Sequence, residues 1–93
     1  MRVKVKFFSN FRDKAGTAVT EIDAADTGDL LAKLVKWNEA LKGTLLKETI
    51  SGPEIKSGVT VMLNGRNVRF LDGLDTELEE GDTVAIFPPV GGG

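Results

Sequence analysis

The chain has 93 residues, a net charge of −2, and neither cysteine nor histidine. It therefore cannot form a disulfide, a thiolate zinc site or a cysteine nucleophile, and it lacks the side chain that titrates near neutral pH without perturbation. These absences exclude most self-contained catalytic sites. The length suits one small domain. No apolar run approaches the ~18 residues of a membrane-spanning helix, and no signal peptide is evident, so we expect a cytoplasmic protein.

The charges are unevenly distributed along the chain. Residues 1–69 contain all 12 basic residues and 8 acidic ones, whereas residues 70–93 contain 6 acidic residues and no basic one. The acidic segment is either a solvated turn region or a surface that steers the C-terminus toward a basic partner. In both cases it argues against nucleic-acid binding through that part of the molecule.

The N-terminal half predicts two strands and one long helix. Residues 2–8 alternate between apolar and mostly charged side chains, which indicates a half-buried strand. Residues 9–16 suit a single helical turn, and residues 18–23 predict a second strand, antiparallel to the first. Apolar residues then recur at helical spacing after Thr27, the expected N-cap, and Gly43 is expected to end or interrupt this helix. Trp37, at the edge of the apolar stripe, is predicted to be partly in the core.

The C-terminal half predicts three short strands. In chain order, it predicts a polar loop at 48–58, a strand at 59–63 and, after the Asn64-Gly65 hairpin signal, a return strand at 68–70. A turn-rich segment at 71–78, a tight turn at 80–82 and a last strand at 83–87 follow. The resulting order, β-β-α-β-β-β, indicates an α+β fold. One main helix would cover one face of a four- to five-stranded mixed sheet, with the last strand parallel to the first.

This arrangement is the β-grasp, or ubiquitin-like, architecture. We predict a β-grasp domain over residues 1–87 and a flexible tail over residues 88–93. Parallel first and last strands end at the same edge of the sheet, so the tail is expected to leave beside the end of the first strand.

Strand alternation predicts aromatic side chains beside this tail. Phe8 and Phe87 should both point away from the face that the helix covers. Either loops, together with Phe70, fold over these rings, or the rings form a docking patch for a partner, and we favour the patch. Met62 extends it because it alternates out of phase with its buried neighbours, and Arg12 supplies a charge at its rim.

The last seven residues read FPPVGGG. The two prolines lack amide donors and have fixed φ, so the chain must leave the sheet in an extended form. From Pro88 it can reach ~20 Å, and glycines without Cβ atoms can thread a channel too narrow for other residues. Alternatively, the terminal glycines are slack and have no function.

The carboxylate of Gly93 is unhindered but needs activation before it can react. An α-carboxylate has an intrinsic pKa of ~3.5, so it is ionised at neutral pH and is a poor electrophile. Adenylation by ATP is a suitable route, and because the chain has no phosphate-binding loop, a partner enzyme must supply that step. We therefore predict a carrier and not an enzyme.

Three stretches of the chain resemble one family. The ending Phe87-Pro88-Pro89-Val90-Gly91-Gly92-Gly93 resembles that of the molybdopterin synthase small subunit and the small archaeal modifier proteins. The residues Phe7-Phe8, Phe11-Arg12 and Gly16 resemble the first strand and turn of that family. Residues 68–82 are similar to its fourth-strand region, and also to the sulfur carrier of the thiocarboxylate-dependent cysteine pathway.

The resemblance implies a chemistry for the tail. An adenylating enzyme of the ubiquitin-activating type uses ATP to form an acyl-adenylate at Gly93, and sulfur transfer converts this group to a thiocarboxylate. The sulfur then passes to a molybdopterin precursor, which we favour, or to a tRNA or another acceptor. Alternatively, the activated terminus is joined to lysines of target proteins. The loop at 48–58, longer than in the smallest carriers, favours the archaeal modifier branch.

The resemblance also implies roles for individual residues. Gly93 carries the acyl group, Gly92 is its required neighbour, and Phe8 and Phe87 contact the partner. With the residues chosen from strand phase and tail position, the expected partner-binding set is Phe8, Arg12, Met62, Phe70, Phe87, Pro88, Pro89, Val90 and Gly91. Relatives often have Ala, Ser or Thr in place of Gly91, a difference that should only loosen the tail.

The expected partners are the activating enzyme and, on the molybdopterin branch, the synthase large subunit. We expect no cofactor, metal, nucleic acid or membrane. A non-reactive β-grasp binding module remains as another interpretation. A metal site at Asp72, Asp75, Glu77 and Glu79 is disfavoured because their spacing does not match a calcium loop.

Overall fold

The computed structural model describes residues 1–89. The predictions for Val90, Gly91, Gly92 and Gly93 lie outside the described residues. The described part forms the following helices and strands: β1 Arg2–Phe7, α1 Asn10–Ala15, β2 Val19–Asp23, α2 Thr27–Trp37, β3 Leu46–Thr49, β4 Gly52–Ile55, β5 Thr60–Leu63, β6 Arg66–Asn67 and β7 Thr83–Phe87. Three 3₁₀ turns cover Glu39–Leu41, Val68–Phe70 and Gly73–Asp75. No helix within residues 1–89 is long and apolar enough to cross a membrane.

Five strands form one mixed sheet in the order β2-β1-β7-β5-β6. The two central strands, β1 and β7, are parallel, and β2 and β5 flank them in antiparallel orientation. Strands β3 and β4 form a separate two-stranded hairpin. The β-grasp prediction is therefore confirmed, including the parallel pairing of the first and last strands.

One core lies between this sheet and α2. The side chains of β1 alternate strictly, so its apolar residues are buried and its charged residues are exposed. The buried apolar residues of β1 and α2 belong to one cluster, which includes Val3, Val5, Phe7, Leu30, Leu31 and Leu34. Because α2 covers one face, the opposite face of the sheet is left open, as expected from the strand pattern.

The N-cap of α2 is Asp26, and the prediction of Thr27 was wrong. The side chain of Asp26 accepts a hydrogen bond from the backbone N–H of Asp29 at 2.8 Å. Thr27 is instead the first helical residue and is fully buried, and its hydroxyl donates to the carbonyl oxygen of Thr76 at 3.1 Å. Aspartate and threonine both cap helices. Because the hydroxyl of Thr27 is bonded to Thr76, the capping position is left to Asp26.

The helix ends at Trp37, well before Gly43. Asn38 leaves the helical conformation, and its side chain accepts a hydrogen bond from the backbone N–H of Ala40 to start a 3₁₀ turn. Trp37 is 44% exposed, and its ring lies parallel to that of Phe7 with centroids 6.0 Å apart. This position at the core edge agrees with its predicted partial burial.

Two predictions in the C-terminal half need correction. Residues 48–58 are not a loop, because most of them belong to the β3–β4 hairpin, whose Ile55 is buried against the core. The return strand after Asn64-Gly65 is Arg66–Asn67, and Val68–Phe70 is a 3₁₀ turn. The Asn67 side chain accepts a hydrogen bond from the backbone N–H of Arg69, which stabilises the turn over further pairing.

Candidate docking surface and tail exit

The rings of Phe8 and Phe87, which we call the ring pair, stack on the open face of the sheet. Their centroids are 4.4 Å apart and their planes differ by 13°. The parallel register pairs Phe7 with Ile86, so the next step along both strands brings Phe8 beside Phe87. Both side chains are partly exposed. A pair of this kind contributes about 0.5–1.5 kcal/mol beyond burial of its area.

Ser9 turns the chain sharply after Phe8. Its backbone has φ 53° and ψ −135°, a region that residues with a Cβ rarely adopt. The strand therefore ends at once, and α1 begins at Asn10. This conformation holds Phe8 at the end of β1, beside the exit region, which we define as Phe87, Pro88 and Pro89.

Met62 lies on the same face as the ring pair. In the β5–β7 register, Thr60 faces Phe87 and Met62 faces Ala85, and facing residues of antiparallel strands point to one side. Met62 is partly exposed, whereas its neighbours Val61 and Leu63 are buried. The structure therefore places Met62 as an apolar extension of the ring pair.

Phe70 and Arg12 lie outside this group of apolar side chains. Phe70 is 85% exposed, but it belongs to the 3₁₀ turn after β6, at the far edge of the sheet from β1. The aromatic stacks within residues 1–89 join Phe8 to Phe87 and Phe7 to Trp37, without Phe70. Arg12 is exposed on α1, and no ion pair within residues 1–89 involves it. Both remain predicted partner contacts.

Basic side chains continue the open face along β1. Arg2, Lys4 and Lys6 are exposed and alternate with the buried residues of that strand. The Nε of Arg2 lies 3.0 Å from the carboxylate of Glu21 on β2. Lys6 lies between Val19 of β2 and Ala85 of β7. The open face is therefore basic along β1 and apolar at the end where the tail leaves.

The exit region is partly enclosed by the scaffold. Pro88 and Pro89 are both partly buried, and they line a cavity of about 160 Å³. The other lining residues come from α1, the segment before β3 and the β4–β5 connection: Asn10, Phe11, Lys14, Thr44, Lys56 and Val59. None of the neighbours of the exit region in this cavity is acidic.

Two carboxylates of the acidic segment, those of Glu80 and Asp82, lie at the other end of the sheet. The carboxylate of Glu80 accepts a hydrogen bond from the backbone N–H of Arg2, and that of Asp82 accepts one from the side-chain amide of Asn64. These contacts are at the starts of β1 and β7, whereas the tail leaves from the end of β7, ~15 Å away along a five-residue strand. These two carboxylates therefore lie far from the exit region, and acidic steering of the tail stays a prediction.

Two carboxylates with a lowered pKa, those of Asp23 and Asp29, lie away from the exit region. The hydrogen bond and positive charge of the N-terminal ammonium, 2.8 Å away, hold the pKa of Asp23 below its ordinary value. The backbone N–H of Ala25 and the ammonium of Lys33 do the same for the pKa of Asp29. Within residues 1–89, no group of three or more acidic side chains is placed to hold a metal ion, including the set considered from the sequence.

Comparison with known proteins decides the family. The model of the ThiS family matches residues 5–93. The chain belongs to the ThiS family. It is 38% identical to small archaeal modifier protein 3 of Haloferax volcanii, and the alignment covers 100% of both chains. It is 33% identical to the molybdopterin synthase sulfur carrier subunit of Chlamydomonas reinhardtii, again over 100% of both chains.

A solved structure of a small archaeal modifier protein has the same fold as this chain. The small archaeal modifier protein 1 from Methanosarcina acetivorans superimposes with a TM-score of 0.90 at 34% identity, over 99% of this chain and 96% of that one. The resemblance to sulfur carriers and ubiquitin-like modifiers is therefore confirmed. By their names, these ThiS-family relatives are small carriers and modifiers, and one is a subunit of an enzyme.

Sequence reasoning missed several residues beside the exit region, among them Lys14, Lys56 and Gly58. Their sequence positions are far from Pro89, and only tertiary packing brings them to it. Gly58 carried a weak local signal, since Ser-Gly dipeptides mark turns. Nothing in the sequence indicated which part of the chain this turn would contact.

Proposed function

We propose that this protein is a sulfur carrier whose C-terminal Gly93 is activated by a partner enzyme and converted to a thiocarboxylate. The observation that supports it best is the ring pair on the open face, directly beside the exit region. A large, partly exposed aromatic pair next to a Pro-Pro step suits a surface on which an enzyme docks while it receives the tail. Residues 1–89 then provide the surface that the enzyme binds, and the terminus is the reactive group.

The chemistry needs two steps that a partner catalyses. The carboxylate of Gly93 attacks the α-phosphorus of ATP, pyrophosphate leaves, and an acyl-adenylate forms. A persulfide or sulfide donor then supplies sulfur to the carbonyl carbon, and AMP leaves as the C–S bond forms. A persulfide donor also needs a thiol reductant to break its S–S bond. Neither step uses a side chain of this protein as an acid or base.

The proposed partner contacts follow from where each residue lies relative to the exit of the tail. Phe8, Phe87 and Met62 provide the apolar docking surface, and Phe70 and Arg12 are further partner contacts that lie outside it. Pro88 and Pro89 direct the tail, and Val90, Gly91 and Gly92 are assigned to the partner's channel because small residues fit narrow passages. The acceptor that we favour is the molybdopterin precursor, delivered through the large subunit of molybdopterin synthase. The sequence relationship to the Chlamydomonas reinhardtii sulfur carrier subunit supports this branch.

A second function shares the first step. The 38% identity to a small archaeal modifier protein favours conjugation of Gly93 to lysines of target proteins. In that reaction a lysine ε-amine attacks the activated carbonyl carbon, and the activating group leaves as an isopeptide bond forms. The two functions are compatible in one protein because both start from the acyl-adenylate.

The experiment that tests the shared step is ATP–pyrophosphate exchange with the adenylating enzyme from the same organism. The full-length protein should stimulate exchange, and a variant without Gly93 should not. Equal exchange by both proteins would contradict the proposal. For the modifier function, digests of cell lysate should contain lysines that carry the glycine remnant of this tail. Absence of such peptides under all growth conditions would count against conjugation.

A further inference from the structure

Gly58, in the turn between β4 and β5, makes an unusually close approach to the exit region. A Cβ atom on Gly58 would lie 3.0 Å from both Cβ and Cγ of Pro89, and 3.6 Å from its Cα. Unstrained Cβ atoms rarely approach carbon so closely, since the optimum for such contacts is about 3.5–4.0 Å. The ring of Pro89 therefore occupies the space that any side chain at position 58 would need.

The segment that carries Gly58 is fixed to the scaffold. The guanidinium of Arg69 donates hydrogen bonds to the carbonyl oxygens of Lys56 and Val59, at 3.1 and 2.9 Å. The ammonium of Lys56 donates to the carbonyl oxygen of Gly43 at 2.8 Å. Val59 is 1% exposed and belongs to the core. Gly58 thus lies between two anchored residues, which limit how far it can move away from Pro89.

We infer that Gly58 is a positioning residue, which holds Pro89 against the scaffold and so sets the direction and origin of the reactive segment. This inference rests on the proposed function, because the direction of the tail matters only if Gly93 must reach a partner's active site. Proline fixes its own φ, so a Pro89 held at its ring has a fixed direction for the bond from its Cα to its carbonyl carbon.

With Pro89 held against Gly58, the free part of the tail begins after Pro89. The boundary expected after Phe87 moves to Pro89, and four residues remain beyond it. Four extended residues span at most ~14 Å, whereas the six residues counted from Pro88 would span ~20 Å. The partner must therefore bring its ATP within ~14 Å of Pro89 when it docks on the open face.

Gly58→Ala is the direct test, and the chain contains a matched control. Gly58 has φ +86°, so alanine there adds backbone strain as well as contact with Pro89. Gly81 has the same φ of +86°, but nothing lies within 4 Å of its Cβ position. Gly81→Ala therefore adds the same strain at the other end of the sheet and leaves Pro89 untouched.

We expect Gly58→Ala to lower kcat for ATP–pyrophosphate exchange by about 10- to 100-fold, because misplacing a reacting group by about 1 Å has effects of this size. KM should change less than about twofold, since the ring pair is intact. Gly81→Ala should leave both constants near their original values. Pro89→Gly should also lower kcat, and adding Gly58→Ala to it should cause no further loss, since the ring that the methyl group meets is gone.

Equal losses in Gly58→Ala and Gly81→Ala would overturn the inference, as would a change confined to KM. Nuclear Overhauser effects between the Gly58 Hα protons and the ring protons of Pro89 provide a readout without the enzyme. They should be strong in the original protein and in Gly81→Ala, and lost in Gly58→Ala. Their absence from the original protein would refute the contact itself. Failure of the original protein to stimulate exchange, with these signals present, would instead refute the proposed function.

Discussion

Phe8 and Phe87 meet across the two central parallel strands, with ring centroids 4.4 Å apart. The contact joins the first strand of the protein to the last, at the point where the tail leaves the sheet. The ring pair therefore stabilises the fold and also forms the docking surface. Substitution at Phe87 should accordingly change both the free energy of unfolding and the affinity for the partner, and the two effects can be measured separately.

Phe87→Ala should raise the KM of the activating enzyme for this protein about 5- to 30-fold, the effect of losing 1–2 kcal/mol at an aromatic contact. It should lower the free energy of unfolding by about 0.5–1.5 kcal/mol through loss of the stack. Ile50→Ala is the control, since Ile50 is fully exposed at the tip of the β3–β4 hairpin. An unchanged KM for a folded Phe87→Ala protein would exclude the ring pair as a docking surface.

Ser9→Gly should stabilise the protein. The φ of 53° and ψ of −135° at Ser9 cost a residue with a Cβ about 1–3 kcal/mol, and glycine adopts this conformation freely. Glycine adds about 0.5–1 kcal/mol of entropy to the unfolded chain, so the net gain should be about 0.5–2 kcal/mol. Urea denaturation measures it, with Ser57→Gly as a control outside this turn. A less stable Ser9→Gly protein would show that the backbone at Ser9 is not strained.

The stability of the protein should fall in acid partly through Asp29. Its folded-state pKa lies below the ordinary value of 3.8, because Ala25 and Lys33 stabilise the charged carboxylate. This contribution is complete above about pH 5, where the carboxyl is ionised in the unfolded chain as well, and it is lost as the pH falls through the lower, folded-state pKa. Asp29→Asn should therefore be less stable than the original protein at pH 7 and equally stable in strong acid. A constant difference between the two proteins from pH 7 to pH 2 would contradict this linkage.

Arg69 should control the rigidity of the segment that carries Gly58. The Nη2 of its guanidinium donates to two carbonyl oxygens, those of Lys56 and Val59, and the ammonium of a lysine ends one bond short of this position. Arg69→Lys should therefore speed amide hydrogen exchange in residues 56–60 while exchange in β1 and β7 stays slow. Unchanged exchange in this segment would show that the two bonds do not hold it. Arg66→Lys, at an exposed position on β6, is the matched control.

The sequence predicted the sheet better than the loops. Alternation in β1, β5 and β7 is strict, and alternation decides which side chains share a face, so the sequence alone places Phe8, Phe87 and Met62 on the open face. The N-cap was not decidable, because Asp26 and Thr27 are adjacent and both types cap helices. Only the buried contact between Thr27 and Thr76 separates them.

The β3–β4 hairpin was missed for a related reason. Its residues do not alternate, and its position depends on the burial of Ile55 against a core made by other elements. The contact between Gly58 and Pro89 joins distant parts of the chain, and glycine gives no apolar signal. The candidate site was therefore predictable where it lies in regular strands, and it was not predictable where a loop packs on the exit region.

The intact mass of the protein after incubation with ATP, the activating enzyme and a sulfur donor tests the central claim most directly. We expect the mass of the protein to increase by the difference between sulfur and oxygen. Proteolytic cleavage should assign this mass increase to the peptide that ends in Gly93. The protein without Gly93 should keep its original mass. An unchanged mass for the full-length protein with a demonstrably active enzyme, or an equal increase in the truncated protein, would contradict the account.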